Sequence, residues 1–321
     1  MLSRVADQLY WMARYLERAE HTARLLNVAL SQSLEEPGRV VPDDRWNKLL
    51  LCLNAEDQAE KCQTPYQTTA MLAFDRQLRN SVISCIAAAR ENARQVRETI
   101  SSEMWERINH LHLLVTTARL EELWEDQPSD FFWEILNGAT LFHGLTSSTL
   151  RHDESWDFIQ IGRYIERAQL VAHLLKVHFD PLPLEQFSEV RDGDLGLIAV
   201  LRSCTAFEAY CQQYTARLTI REIVEYLLLD REFPHAVHFS LLQVRESLDA
   251  IATATDTAKT RPVNRYAGRL LTLLEYGQVD EVLQGGLASF VKEVEEHSAR
   301  VHEAMYTAYI TYPIEAHRVM G

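Results

Sequence analysis

Residues 2–20 read L-S-R-V-A-D-Q-L-Y-W-M-A-R-Y-L-E-R-A-E, and the spacing of their apolar members decides the fold class. Val5, Leu9, Met12, Leu16 and Ala19 step alternately by four and three, and Ala23, Leu26 and Leu30 continue the series. A turn of about 3.6 residues brings such positions to one face, so the stretch is a long amphipathic helix. Ser3 is placed to cap its start. Glu35-Glu36-Pro37-Gly38 is placed to stop it, because Pro cannot continue a helix and Gly favours its end.

The same periodicity recurs along the chain. Helices are expected at 44–59, 66–100 with a break, 102–126, 129–150 and 153–179. After a loop from Asp180-Pro181-Leu182-Pro183 to about Asp194, they resume at 195–217, 219–230, 234–255, 262–276 and 280–310. Pro128, Pro234 and Pro262 sit where helix starts are expected. No alternating strand pattern occurs. With only 11 Gly and 9 Pro in 321 residues, few turns interrupt the chain. The fold class is therefore all-α.

Residues 163–168 read R-Y-I-E-R-A, a near copy of R-Y-L-E-R-A at 14–19, at an offset of 149 (163 − 14). That offset carries the seam Leu9, Met12, Leu16, Ala19, Ala23, Leu26 and Leu30 onto Phe158, Ile161, Ile165, Ala168, Ala172, Leu175 and Phe179. A second match follows in order, Asp75-Arg76, Val82 and Arg90-Glu91 with Asp230-Arg231, Val237 and Arg245-Glu246, at an offset of 155 (230 − 75). Two matches in register with a shared seam indicate a tandem duplication. The expected organisation is one body over 1–321, a pseudo-two-fold bundle of repeats 1–150 and 151–321. Arg14, Glu17 and Arg18 should then overlay Arg163, Glu166 and Arg167.

The formal charge of −14 disfavours nucleic-acid phosphates and anionic lipids as partners. No run of about 18 apolar residues is present, so no membrane span is expected. The N-terminus lacks the apolar core of a signal peptide. Five cysteines, an odd number without C-x-x-C, fit a reducing compartment. A cytoplasmic location is the expectation.

Arg14, Glu17, Arg18 and His21 form a polar stripe at helical spacing, and Arg163, Glu166 and Arg167 repeat it, with Leu170 in place of His21. A solvated face with intrahelical ion pairs is the ordinary reading of such a stripe, each pair contributing about 0.3–0.5 kcal/mol. Persistence in both copies, and the neighbouring Tyr10, Trp11, Tyr15, Trp156 and Tyr164, point to stacked or partly buried guanidinium groups. Buried arginine needs a carboxylate, which Glu17 or Glu166 would supply from another helix. Two readings stand open here: a structural ion-pair lattice, and an anion-binding pocket flanked by Arg18 and Arg167.

Catalytic and cofactor signatures are missing. Di-iron bundles use paired Glu-x-x-His motifs on inward helix faces; H-E-x-x-H does not occur, and the single E-x-x-H, Glu232 to His235, is interrupted by Pro234, so no metal and no cofactor are expected. There is no nucleophile elbow and no glycine-rich phosphate loop. Cys204, beside Arg202, is read as a packed cysteine rather than an activated thiol.

The opening L-S-R-V-A-D-Q-L-Y-W-M-A-R-Y-L-E-R-A-E resembles the signature of the bacterial alpha-E family, with the family's Glu-Arg motif at Glu17-Arg18. Arg90-Glu91-Asn92-Ala93-Arg94 and Leu228-Leu229-Asp230-Arg231-Glu232-Phe233-Pro234 also resemble family segments. Members are encoded beside, or fused to, a circularly permuted ATP-grasp protein, with transglutaminase-like and proteasome-like proteins as further neighbours. The resemblance implies a binding or scaffold subunit of a separate ATP-grasp ligase in an amide-forming, peptide-related pathway. A catalytic subunit completing a shared active site is the alternative, and an independent metal-dependent helical enzyme a further one. The ATP site would lie on the other chain.

Overall fold

In the computed structural model the seam of the first helix is almost wholly withdrawn from water. Leu9, Met12, Leu16, Ala19, Ala23 and Leu26 are all buried. Each large aliphatic side chain sequestered in this way contributes about 1.5–3 kcal/mol. The structure describes residues 3–35, 44–125, 127–214, 217–255 and 261–311. The Pro37-Gly38 stop lies outside them.

The helices, in chain order, are α1 (Ser3–Glu35), α2 (Asp44–Cys52), α3 (Pro65–Thr69), α4 (Val82–Gln95), α5 (Ser102–Thr117), α6 (Leu120–Glu125), α7 (Pro128–Thr149) and α8 (Glu154–Phe179). They continue as α9 (Leu195–Ser203), α10 (Phe207–Tyr214), α11 (Ile220–Leu229), α12 (Val237–Thr255), α13 (Arg261–Glu275), α14 (Val279–Gly285) and α15 (Leu287–Met305). Among the described residues there is no strand, and no helix is long and apolar enough to cross a membrane. The protein is all-α.

Several expected helices are shorter than their periodicity suggested, and each break has a local cause. The 44–59 helix stops at Cys52 because Asn54 turns left-handed, at φ 51°, and the Ala55 amide returns to the Leu50 carbonyl. The 195–217 helix splits the same way, with Thr205 at φ 52° and the Ala206 amide on the Leu201 carbonyl. Gly286, at φ 90°, divides α14 from α15. Pro234 precedes α12 rather than opening it. Asp230 organises that turn by accepting from the amides of Glu232 and Phe233.

Helix α1 packs on α4 and α7, and α5 closes that ring against α4 and α7. Helix α8 packs on α12 and α15, and α13 closes a second ring against α12 and α15. The two four-helix rings meet along α1 and α8, while α2 also packs on α8 and α9 on α1. Each ring thus lends a short helix to the other's central helix.

The α1–α8 contact is unusually close at one point. A Cβ built on Gly162 would stand 2.3 Å from the Tyr10 carbonyl oxygen and 3.1 Å from the Ala13 Cβ. Ala13 and Gly162 are separated by the same 149 residues (162 − 13) as the two Glu-Arg motifs. Two small residues therefore let the backbones approach, and that approach brings the charged stripes within bonding distance of each other.

Candidate functional site at the crossing of the Glu-Arg helices

One turn beyond Ala13 and Gly162 the two stripes face each other, and their ion pairs are exchanged between helices rather than formed along them. Glu17 of α1 receives Arg167 of α8 at two points, Nε to Oε1 at 2.5 Å and Nη2 to Oε2 at 3.0 Å. Glu166 of α8 receives both arginines of α1, Arg14 Nε on Oε2 and Arg18 Nε on Oε1, each at 2.6 Å. Arg163 Nε stands 3.6 Å from Glu17 Oε2. All six residues singled out in the sequence thus belong to one lattice. The intrahelical pairs of a solvated stripe do not form among them.

Burial makes these charges depend on one another. Glu17 and Glu166 are each 3% exposed and Arg167 2%. Burial alone would raise the Glu166 carboxyl, but Arg14 and Arg18 outweigh it and hold the group below its usual range. For Arg167, burial is likewise outweighed by Glu17, which strengthens its hold on the proton. Arg163 moves the other way. Its burial, reinforced by the charge on Arg167, exceeds what Glu17 returns, and its Nε has no hydrogen-bond partner. Aromatic faces complete the setting, with Arg14 4.9 Å from the Trp11 ring centre and Arg163 and Arg167 5.3 and 5.5 Å from that of Tyr164.

Three residues join the lattice without having been singled out. Glu20 pairs with Arg24 at 2.6 Å on one oxygen. Its other oxygen is 3.3 Å from Nε2 of His143, on α7, which is also 3.6 Å from Glu17. Glu17, Glu20 and His143 lie within 4.8 Å of one another and are all buried, so their donor types would suit a metal ion. The charges around them do not favour it. Arg24, Arg163 and Arg167 already face these two carboxylates. Burial is the main reason the His143 pKa is lowered, and Arg163 lowers it further. On α15, which packs on α8, His302 meets the Tyr10 hydroxyl at 2.8 Å.

The two ends of the lattice open differently. Arg18 lines a polar cavity of about 290 Å³ together with Asn54, Asn80, Gln169, His173 and Glu295. Its Nη1 donates to Asn80 Oδ1 at 2.8 Å. Arg167 does not line this cavity, contrary to the expectation of a cleft shared with Arg18. Its remaining nitrogen, Nη1, donates to the Pro234 carbonyl at 3.2 Å, so all three of its nitrogens are held.

Other candidates read in the sequence lie apart. Arg90 donates to Asn109 at 2.6 Å and stacks 5.5 Å from the Trp105 ring centre rather than pairing with Glu91, which holds Arg94 at 2.7 Å. Arg245 holds Asp249 at 2.6 Å. Cys204 is buried, which pushes its thiol up to about 12 and leaves no thiolate at neutral pH.

The chain matches, over residues 1–310, the Alpha-E family, described as a predicted alpha-helical domain with a conserved ER motif. It belongs to that family. Similar proteins include an uncharacterised protein of Mycobacterium bovis, 23% identical over 94% of this chain and 35% of its own length. Uncharacterised proteins of two Mycobacterium tuberculosis strains are 23% and 22% identical with the same coverage. The chain therefore spans about a third of the length of these relatives. No solved structure matches it.

Proposed function

We propose that the chain is a binding and scaffold subunit that holds an anionic group for a separate ATP-grasp ligase in an amide-forming, peptide-related pathway. The observation that carries the binding half of this reading is Arg18, a guanidinium of the lattice that borders a polar cavity. Among the described residues, Arg14, Arg18, Arg24, Arg163 and Arg167 meet only Glu17, Glu20 and Glu166 in the lattice, a formal surplus of two positive charges (5 − 3). On a chain of net charge −14 such a surplus is a local exception; of these arginines Arg18 lines the cavity, and its guanidinium is the group that would meet a ligand carboxylate or phosphate. The ligase half rests on the family resemblance.

In this reading the chain is one cytoplasmic body built from a duplicated unit. The matching rings, the exchanged Glu-Arg pairs and the paired left-handed turns at Asn54 and Thr205 support the duplication. Co-purification with the ATP-grasp partner, followed by ATP consumption with carboxylate and amine candidates, tests the assignment. Calorimetric titration with acetate and inorganic phosphate tests the anion site alone. Absence of binding to either anion would reject the binding role.

A metal-dependent enzyme is the second reading, favoured by the Glu17, Glu20 and His143 grouping. Metal analysis of the purified chain separates the two. A stoichiometric metal ion lost on Glu20→Gln substitution would favour the second.

A further inference from the structure

The Arg18 cavity has a donor side and an acceptor side, and both are set by the lattice. Asn80 and Gln169 each have their amide oxygen taken up by a guanidinium, Arg18 Nη1 on Asn80 at 2.8 Å and Arg14 Nη2 on Gln169 at 3.0 Å. An arginine only donates, so neither amide can be turned around. Their NH₂ groups therefore remain for something else, and both residues line the cavity. Among the described residues no bond is made by Asn80 Nδ2, by Gln169 Nε2 or by Arg18 Nη2. Glu166 also lines the cavity, but Arg14 and Arg18 occupy both its oxygens. This side offers N–H donors and a positive charge to a ligand oxygen.

The acceptor side is formed by His173 and Glu295. His173 Nε2 stands 3.0 Å from the Leu51 carbonyl, and a carbonyl only accepts, so Nε2 carries the proton. In that tautomer Nδ1 offers a lone pair, and it faces the Glu295 carboxylate at 3.6 Å, beyond hydrogen-bond distance. Two acceptors set against each other call for a donor between them. Glu295 is 38% exposed and borders the same cavity, so that donor has access from solvent.

We infer that the Arg18 cavity binds a small zwitterion, an amino acid or short peptide. Its free carboxylate meets Arg18, Asn80 and Gln169, and its free ammonium bridges His173 and Glu295. The inference rests on the anion-binding reading and narrows it to one substrate class. A volume of about 290 Å³ suits such a ligand and is small for a nucleotide.

The test is calorimetric titration of the full chain. Glycine, glycylglycine and triglycine are compared first, because they carry the same two ends at different separations. The tightest of them is then set against its N-acetyl form, its C-terminal amide and sodium acetate. The zwitterion should bind about tenfold more tightly than either blocked form, the loss expected when a charged hydrogen-bond partner is removed. Glu295→Gln, at a half-buried position, should keep the melting temperature and acetate binding while reducing the zwitterion to the level of its N-acetyl form. Equal binding of the N-acetyl and free forms, with acetate still bound, overturns the inference and leaves the anion site standing. Tighter binding of the amide than of the free acid overturns the inference as well. No binding of any probe, acetate included, overturns the anion site and the inference together.

Discussion

Arg18 and Arg167 each close a Glu-Arg motif, one on α1 and one on α8, yet one borders a cavity and the other is locked in the interior. Arg167 is 2% exposed, grips Glu17 with two nitrogens and gives the third to the Pro234 carbonyl. Arg18 is 20% exposed and shares Glu166 with Arg14. It rests on an amide side chain, Asn80, where Arg167 rests on backbone. The difference teaches that one motif can serve two ends. A backbone acceptor fixes an arginine for packing, whereas an amide acceptor passes its own donors on to a neighbouring space. The comparison turns a question about the motif into a question about two particular residues.

The largest effect should come from cutting the interior end. Arg167→Ala leaves Glu17 buried with only Arg163 at 3.6 Å and His143 at the same distance. A loss of about 3–5 kcal/mol is expected in urea unfolding, as for other buried pairs broken from one side. Arg18→Ala leaves Glu166 with Arg14 at 2.6 Å and should lose only about 1 kcal/mol. Equal losses in the two variants would erase the distinction drawn between the ends.

Acid should bring out a second asymmetry. His21 is buried near Arg24, and its counterpart in α8 is Leu170. Burial above all pushes the His21 pKa down to about 4. The unfolded ring protonates near 6.5, so it binds more protons than the folded one between these values. Stability from keeping His21 neutral is therefore complete above pH 6.5 and is lost as pH falls toward 4. His21→Leu should remove about 2–3 kcal/mol of this acid sensitivity while changing little at pH 8. Urea midpoints for the two proteins that fall in parallel from pH 8 to 4 would show that His21 does not contribute.

Much of the fold was legible because burial and periodicity act locally. Leu9, Met12 and Leu16 announce their helix without reference to anything else in the chain. The six charged residues were legible as a pair of stripes. Their exchange was not, because the partner of Glu17 depends on how two helices cross. That crossing is set by Ala13 and Gly162, small residues that a periodic reading passes over. His143 was invisible for a similar reason, since α7 carries it to Glu20 from a distant part of the chain with no spacing to mark it. Pro234 holds Arg167 through its carbonyl, which leaves no side-chain signal. The left-handed turns at Asn54 and Thr205 interrupt apolar patterns that otherwise read as continuous helix. A near relation of the motif, Glu17-Arg18-Ala19-Glu20, was in plain view, but its second carboxylate gains meaning only once His143 arrives.

The crossing itself can be tested. Gly162→Ala would drive a methyl group against the Tyr10 carbonyl, which belongs to a helix backbone and cannot swing aside. Separation of α1 and α8 should cost about 1–3 kcal/mol and lengthen the pairs at both ends of the lattice together. Chemical shifts of the arginine Nε–H groups of Arg18 and Arg167 would report it. Movement at one end alone would mean that the two ends are set independently of the crossing.

The smallest effect on stability should accompany the sharpest effect on binding. Arg18→Lys keeps the positive charge and removes the planar fork. A lysine ammonium can still approach Glu166, and Arg14 retains its own 2.6 Å bond there, so the core loses little. The bond to Asn80 is a different matter. With Arg18 Nη1 gone, the Asn80 amide is free to turn and present its oxygen to the cavity, where a ligand carboxylate would meet a repulsive acceptor. The expected outcome is a melting temperature within about 2 °C of the parent, with acetate and zwitterion binding weakened about tenfold or more. Arg167→Lys makes the contrasting pair. That substitution removes the fork on Glu17 and the bond to Pro234 in a place that water cannot refill, so it should melt early while its cavity still binds. A lattice that only fixes packing predicts early melting from both lysines and normal binding by both. That result would return Arg18 to a purely structural role and show that the bound anion does not depend on its guanidinium fork.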